Sequence, residues 1–328
     1  MNANKVSVVL PVYKGESTLE KALDSLIDPT VKDLEILVLD DGSPDRSRQL
    51  AERFAANSFP TIVRIYSHPN QGLAATLNRG LSLAKGEFIA RQDQDDIVLP
   101  GRLYKQLAFL ESHPDVAIVG TWAHIYDGDI PSKRYHRHPA ADDALRLELL
   151  FDNPFVHSSV MMRANVVREL GGYCEDLDRQ PPEDYELWSR IARRHRVANI
   201  PEVLTIYREI SGSMSRLGDN PFQNNVVRIS SENLAHVLEP DFSLRDCLEL
   251  AKCHHGLPFE GGLSRQKAHC MLEAAASSVG GIPKNWSEEF RWSHARMHRQ
   301  IDSRFLKRRI PTPLLGLARW LKRILRSS

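Results

Sequence analysis

The run Val6-Ser7-Val8-Val9-Leu10-Pro11-Val12-Tyr13 decides the fold. An almost continuously apolar strand, Val6–Leu10, fits burial on both faces, as in the central strands of a parallel sheet. Further short strands are expected at Glu35–Leu39, Ile62–Tyr66, Phe88–Ala90 and Ala117–Thr121. Helical patterns fill the intervals, at Ser17–Leu26, Asp45–Phe54, Gly72–Leu83 and Gly101–Glu111. This alternation predicts an α/β fold, a mostly parallel, Rossmann-like sheet with helices on both faces. Ligands of such sheets bind beyond the carboxyl ends of the strands. Pro11, Tyr13, Asp40, Asp41 and the aspartates from Asp93 onward all follow strands, so they are expected to converge on one edge. No Gly-x-Gly-x-x-Gly follows the first strand, and no Gly-Lys-Ser/Thr loop is present, which argues against those two phosphate cradles. A nucleotide can still bind if Tyr13 stacks on a base and Asp41 accepts a hydrogen bond from it. Asp40-Asp41-Gly42-Ser43 is equally readable as a turn and helix cap.

The stretch Arg91-Gln92-Asp93-Gln94-Asp95-Asp96 carries the densest chemistry. Alternate residues of an extended chain point to one side, so Asp93 and Asp95 face a common point. Like charges at that range raise each other's pKa and call for a cation. A hard divalent ion, Mg2+ or Mn2+, shared with substrate phosphates, fits one or two protein carboxylates. An isolated Asp-x-Asp is more often a solvated turn.

Composition narrows the class. The 328 residues carry a net charge of +1, which argues against a nucleic-acid partner. The 4 cysteines are widely spread with no Cys-x-x-Cys pair, as in reduced thiols of a cytosolic protein. No apolar run reaches the roughly 20 residues of a membrane-spanning helix, and no signal peptide is expected. From Ala140 to Ile210 the pattern is mixed, with helices near Asp142–Leu150 and Asp184–His195 around a loop-then-strand segment, Asn153–Met162. Beyond Asn220 amphipathic helices are expected at Val226–Leu238, Leu244–Lys252 and Ser264–Ser278. His254-His255 and the pair His294 and His298 lack a third partner at zinc-site spacing, and His294-Ala295-Arg296-Met297-His298 lacks the glutamate of a metalloprotease helix.

Taken in order, several segments resemble the family 2 glycosyltransferases, inverting enzymes of the GT-A fold. They are Val6 to Tyr13; Leu37-Val38-Leu39-Asp40-Asp41-Gly42-Ser43-Pro44-Asp45; Asn70-Gln71-Gly72-Leu73 leading to Asn78; Ala84-Lys85-Gly86-Glu87; Asp93 to Asp96 with Pro100 and Arg102-Leu103; and Glu183-Asp184-Tyr185-Glu186-Leu187-Trp188. The resemblance covers roughly residues 5–215. It implies that Pro11, Tyr13 and Asp41, with Asp40 beside them, line the nucleobase pocket of a nucleotide-sugar site. It implies that Asp93 and Asp95, extended by Asp96, meet the metal and the donor's ribose and diphosphate. Asp184 then matches the catalytic base and Glu183 its acidic neighbour, although Glu183 is equally readable as a helix-terminal charge. His157, Trp188 and Arg208 are the acceptor-side candidates; His157 is as readily a buried structural histidine. Many relatives carry Tyr-Arg-x-His where this chain has Tyr207-Arg208-Glu209-Ile210, so that histidine ligand is replaced; either metal dependence is expected to be weaker, or another group such as Arg208 is expected to help the diphosphate.

The expected reaction is transfer of a sugar from a nucleotide donor, UDP-linked, to a hydroxyl of a glycan or lipid-linked acceptor in surface polysaccharide biosynthesis. A catalytically silent nucleotide-sugar-binding scaffold is the alternative, opposed by the presence of Asp93, Asp95 and Asp184. A nucleotidyltransferase is disfavoured because Pro11-Val12-Tyr13-Lys14 replaces the Gly- and Arg-rich loop such enzymes need. The expected organisation is a catalytic domain over 1–215, a helical extension over 216–305 and a tail helix over 306–328. In that tail Leu314, Leu317, Trp320, Leu321 and Ile324 oppose Arg319, Lys322, Arg323 and Arg326, the pattern of a helix lying on a membrane surface. A cytoplasmic protein peripheral to the inner face of the cell membrane is therefore expected.

Overall fold

The computed structural model describes residues 5–209, 222–260 and 262–309. Nine strands form one sheet in the order β3-β2-β1-β4-β8-β6-β9-β5, with β7 paired to β6. The strands are β1 Val6–Val12, β2 Leu34–Asp40, β3 Ile62–Ser67, β4 Phe88–Arg91, β5 Ile97–Val98, β6 Val116–Asp127, β7 Ile130–His136, β8 Met161–Arg163 and β9 Arg196–Glu209. The expected α/β architecture is present, but the sheet is mixed. Pairings among β1, β2, β3 and β4 are parallel, as is β6 with β9; β8 inserts antiparallel between β4 and β6, and β5 and β7 are antiparallel edges. The long β9 and the β6–β7 hairpin are not legible from periodicity. The burial of β9 follows no two-residue alternation, and its register against β6 shifts near Thr121 and Trp122.

Every residue of β1 is buried, with Val6 opposite both Leu34 and Phe88. Val6, Val8, Leu10 and Val12 feed one apolar cluster with helices α1 Leu19–Ser25, α2 Ser47–Asn57 and α4 Arg102–Ser112. Val9 feeds the opposite cluster with α3 Leu73–Leu83, α6 Ala164–Glu169 and α7 Glu183–Ala192. That is the period of 2 of a strand covered on both faces. The one polar residue of the run, Ser7, is satisfied: its hydroxyl donates to Glu35 Oε1 at 2.5 Å and accepts from Gly86 N at 2.8 Å. A Cβ on Gly86 would meet Ser7 N at 2.6 Å, so glycine is required where the Ala84-Lys85-Gly86 turn crosses β1.

The chain continues into α8 Phe222–Leu238, α9 Leu244–His255, α10 Arg265–Gly280 and α11 Glu288–Arg309. These pack with α5 Asp142–Leu149 around a third apolar cluster that includes Leu147, Phe151, Leu250, Leu272 and Phe290. The N-terminal turn of α11 is fixed to α5 by its Glu289 carboxylate, which accepts Ala140 N at 2.8 Å and Ala141 N at 2.7 Å. Among the described residues no helix is long and apolar enough to cross a membrane. Ile210 and the amphipathic pattern beyond Pro311 lie outside the described residues.

Candidate active site

Beyond the carboxyl ends of β1, β2 and β4 lies a cleft of about 900 Å3. Pro11, Tyr13, Asp41, Asp93, Asp95, Asp96, His157, Glu183, Asp184 and Arg208 all line it, which brings together ten of the twelve site residues expected from the sequence. Tyr13 leaves the buried strand with 42% of its surface exposed, as a ring available for stacking. Its backbone is clamped by Gln94: Tyr13 N donates to Gln94 Oε1 at 2.9 Å, and Gln94 Nε2 donates to Tyr13 O at 2.9 Å. Asp41 is committed to the neighbouring loop. It accepts Gln71 N at 2.7 Å, Gly72 N at 3.0 Å and Asn70 Nδ2 at 3.1 Å. Asp40 is not part of the cleft wall: its carboxylate is buried and accepts Ser43 N at 3.0 Å and Ser67 Oγ at 2.7 Å. The expected grouping of Asp40 with the nucleobase residues is therefore corrected, since consecutive residues at a strand end face opposite ways.

The aspartate loop is tied down from beneath. Arg102, fully buried, donates to Gln92 Oε1 and to Arg91 O, each at 2.8 Å, and Gln92 Nε2 donates to Asp96 O at 2.8 Å. Carboxylate oxygens of Asp93, Asp95 and Asp96 lie within 4.8 Å of one another. Burial, reinforced by Asp93, pushes Asp95 up to about 6, and the same causes push Asp96 well above the usual carboxylate range. The three are not equivalent. Asp96 accepts Arg208 N at 2.8 Å and the Ser158 hydroxyl, so one oxygen braces the loop against β9 and the other against the turn at residues 157–159. Arg208 turns its guanidinium to Gly128 O, at 3.2 Å, and Asp129. Arg91 lies buried in the cleft floor with Nη1 against Asp93, while its Nε has no hydrogen-bond partner among the described residues. Burial works against its charge, but Asp93, Tyr173 and Glu183 more than compensate.

The opposite wall is the N-terminus of α7. Asp184 Oδ1 accepts Tyr185 N at 2.7 Å, and Oδ2 accepts Asn153 Nδ2 at 2.8 Å. Burial raises Asp184 to about 6, and burial with the Asp184 charge raises Glu183 to about 7. His157 stands 3.6 Å from Glu183 through Nδ1, with Nε2 3.1 Å from the Tyr173 hydroxyl. Burial, and secondarily Arg91, hold His157 well below its ordinary pKa, so the contact to Glu183 is not an ion pair at neutral pH. Trp188 departs from its expected place. It is 0% exposed and packs edge-on against Phe155, His157 and Tyr173, so it supports the wall from behind and meets no acceptor. Trp188 follows Asp184 by four residues and so lies one turn further along the same helix face, and the sequence pattern alone does not show how far along that face the cleft extends.

Sequence reasoning assigned no role to Gln94, Arg91, Asn153 or Tyr173. Arg91 and Gln94 sit inside the quoted motif, and their type, a cation and an amide beside clustered carboxylates, was the available signal. Asn153 and Tyr173 reach the site through tertiary contacts that leave no local pattern.

Comparison with known proteins bears on this geometry. Residues 7–171 match the family profile described as Glycosyl transferase family 2. The chain is 36% identical over 213 residues to the Bacillus subtilis protein EpsE, named as a glycosyltransferase, covering 65% of this chain and 76% of that one. It is 34% identical over 213 residues to the amylovoran biosynthesis glycosyltransferase AmsE of Erwinia amylovora, covering 64% and 78% respectively. The fold is similar to that of S. aureus TarS 1-349, solved in complex with UDP-GlcNAc, with a TM-score of 0.59, 19% identity and 92% of each chain covered.

Proposed function

We propose a reaction for this chain on the premise that it belongs to glycosyltransferase family 2. It moves one sugar, with inversion, from a nucleotide-sugar donor, UDP-linked, to a hydroxyl of a glycan or lipid-linked glycan. The observation that carries this reading is the single cleft that holds the Tyr13 ring and the Asp93 and Asp95 carboxylates on one side and Asp184 on the other. In this reading Tyr13 stacks on the base, and Asp41 shapes the Asn70–Gly72 loop beside it. The donor set fits a hard divalent ion: oxygen ligands only, with Asp95 raised to about 6 by burial and by the Asp93 charge. Asp93 and Asp95 would hold Mg2+ or Mn2+, which when bound would neutralise charge on the departing diphosphate. Asp96 instead positions the loop. Arg91 keeps a positive charge beneath Asp93.

Asp184 takes the proton from the acceptor hydroxyl. Burial raises both acids of this pair, while Asp184 has the Asn153 amide donating to it, which favours its ionised form. A hydroxylate attacking opposite the leaving diphosphate inverts the anomeric carbon, so an α-linked donor gives a β-linked product. The naming of AmsE for amylovoran biosynthesis supports a surface polysaccharide as the destination. The division at 215 and 305, and attachment of the 306–328 tail to the inner face of the membrane, belong to the same reading.

The test is Asp184→Asn, screened with UDP-sugars and Mg2+ or Mn2+. Transfer should fall by roughly 10²–10⁴-fold with donor affinity retained. Wild-type turnover by the variant would remove Asp184 as base; donor binding without any turnover by the wild type would favour the scaffold reading.

A further inference from the structure

Outside that cleft, α10 and α11 face each other through a row of titratable side chains. His294, His298 and Asp302 recur at intervals of four along α11, and Arg265, His269 and Glu273 do the same along α10. Four-residue spacing places each set on one helix face. None of the six lines the cleft. Two imidazole nitrogens and both oxygens of one carboxylate converge: His298 Nε2 is 3.2 Å from His294 Nε2 and 2.9 Å from Glu273 Oε1, and His294 Nε2 is 3.4 Å from Glu273 Oε2. Ligand atoms bound to zinc at about 2.0–2.1 Å in a tetrahedron stand about 3.3 Å apart along its edges. Each observed separation, 2.9 to 3.4 Å, is close to that edge length.

The surroundings match what a metal-bound imidazole needs. His298 Nδ1 is 2.6 Å from His269 Nδ1, with the two rings within 11° of parallel, and His269 Nε2 is 2.7 Å from Asp302 Oδ1. One arrangement of neutral rings satisfies the two inner contacts and leaves the Glu273 contact without a proton. His298 Nδ1–H donates to His269 Nδ1, His269 Nε2–H donates to Asp302, and the His298 Nε2 lone pair is left free toward Glu273 and His294. That is a ligand with its tautomer fixed by an outer carboxylate–histidine relay. If His298 Nε2 instead carried the proton, the relay would reverse and His269 would present a lone pair to the Asp302 carboxylate.

We propose that His294, His298 and Glu273 form a divalent transition-metal site of the zinc type, with water as fourth ligand, that staples α10 to α11. The sequence argued against zinc because no third ligand has the right spacing; the third ligand comes from another helix. The site is independent of the proposed transfer reaction.

Untagged full-length protein, stripped with a chelator, is titrated with Co2+ in excess Mg2+, which occupies the hard oxygen ligands of the aspartate loop. One equivalent should give the visible d–d absorption of four-coordinate cobalt and raise the melting temperature. His294→Ala and Glu273→Gln should abolish both effects. His269→Ala should weaken binding by roughly 10–100-fold. Asp95→Asn should leave it unchanged. Glu273 is exposed and Gln keeps its shape, so that variant remains informative if the histidine variants misfold. No cobalt spectrum in the wild type, or one that survives Glu273→Gln, overturns the proposal and leaves a hydrogen-bonded polar zipper. So does loss of the spectrum in Asp95→Asn.

Discussion

Asn153 donates from Nδ2 to Asp184 Oδ2 at 2.8 Å, across 31 residues of sequence. The bond favours the ionised carboxylate and opposes the burial that raises Asp184 to about 6. A base must be ionised to act, so turnover should fall as pH drops through about 6.

Asn153→Ala should move that acid limb upward by about one pH unit, the order of a single charge-assisted hydrogen bond. Turnover should fall most at pH below the limb and recover in alkaline buffer. A kcat–pH profile of both proteins checks this. An unmoved limb would sink the assignment of Asp184 as the titrating base.

Asp95 has a folded pKa raised above the ordinary 3.8, to about 6. A carboxyl of that kind favours folding below pH ~4 and loses that contribution as pH rises through about 6. Asp95→Asn should therefore melt at a higher temperature than wild type at pH 7.5, with the gap closing toward pH 4. Metal-supported turnover should fall by at least about 10²-fold in the same variant. Equal melting of the two proteins at both pH values contradicts the buried-repulsion account.

Gln94 holds both the N–H and the carbonyl of Tyr13. Gln94→Ala removes two neutral hydrogen bonds, each with a net value of about 1 kcal/mol, and frees the stacking residue. Donor affinity should weaken roughly tenfold, with kcat at saturating donor little changed. Calorimetry with UDP measures the first quantity and steady-state rates the second. A fall in kcat without a change in affinity would place Gln94 in the chemical step instead.

Trp188 is a packing residue. Trp188→Ala should cost about 3–5 kcal/mol in urea unfolding, as expected for emptying a fully buried aromatic site. Trp188→Phe should retain the acceptor KM within a few-fold. A large rise in acceptor KM in a well-folded Phe variant would restore the acceptor-side role.

Truncation after Pro311 should release the protein from anionic liposomes while transfer to a soluble acceptor continues. Each Lys or Arg at an anionic surface contributes about 1 kcal/mol, so attachment should weaken with salt. Equal flotation of both forms, or none for either, rules out the tail as the anchor.

The parallel half of the sheet was readable because burial on both faces writes a continuous apolar strand, as in Val6 to Leu10. The carboxylates were readable because Asp93, Asp95 and Asp184 lie at or beside element ends, where side chains meet ligands. β9 was not readable: register shifts against β6 erase its alternation. Nor were the separate roles of the clustered acids, since Asp96 is consumed by Ser158 and Arg208 N from two distant segments.

What the sequence by itself determined is therefore local: which residues share a face at period 2 or at four-residue spacing, and the ordered motifs that mark the family. Tertiary structure alone decided what those faces meet. It turned Trp188 inward, gave Asp184 its Asn153 partner, and set Glu273 of one helix against His294 and His298 of another. The physical reason is range. Backbone geometry fixes the direction of neighbouring side chains, while burial, hydrogen bonding and charge at a site depend on segments that approach only when the chain has crossed the sheet and packed.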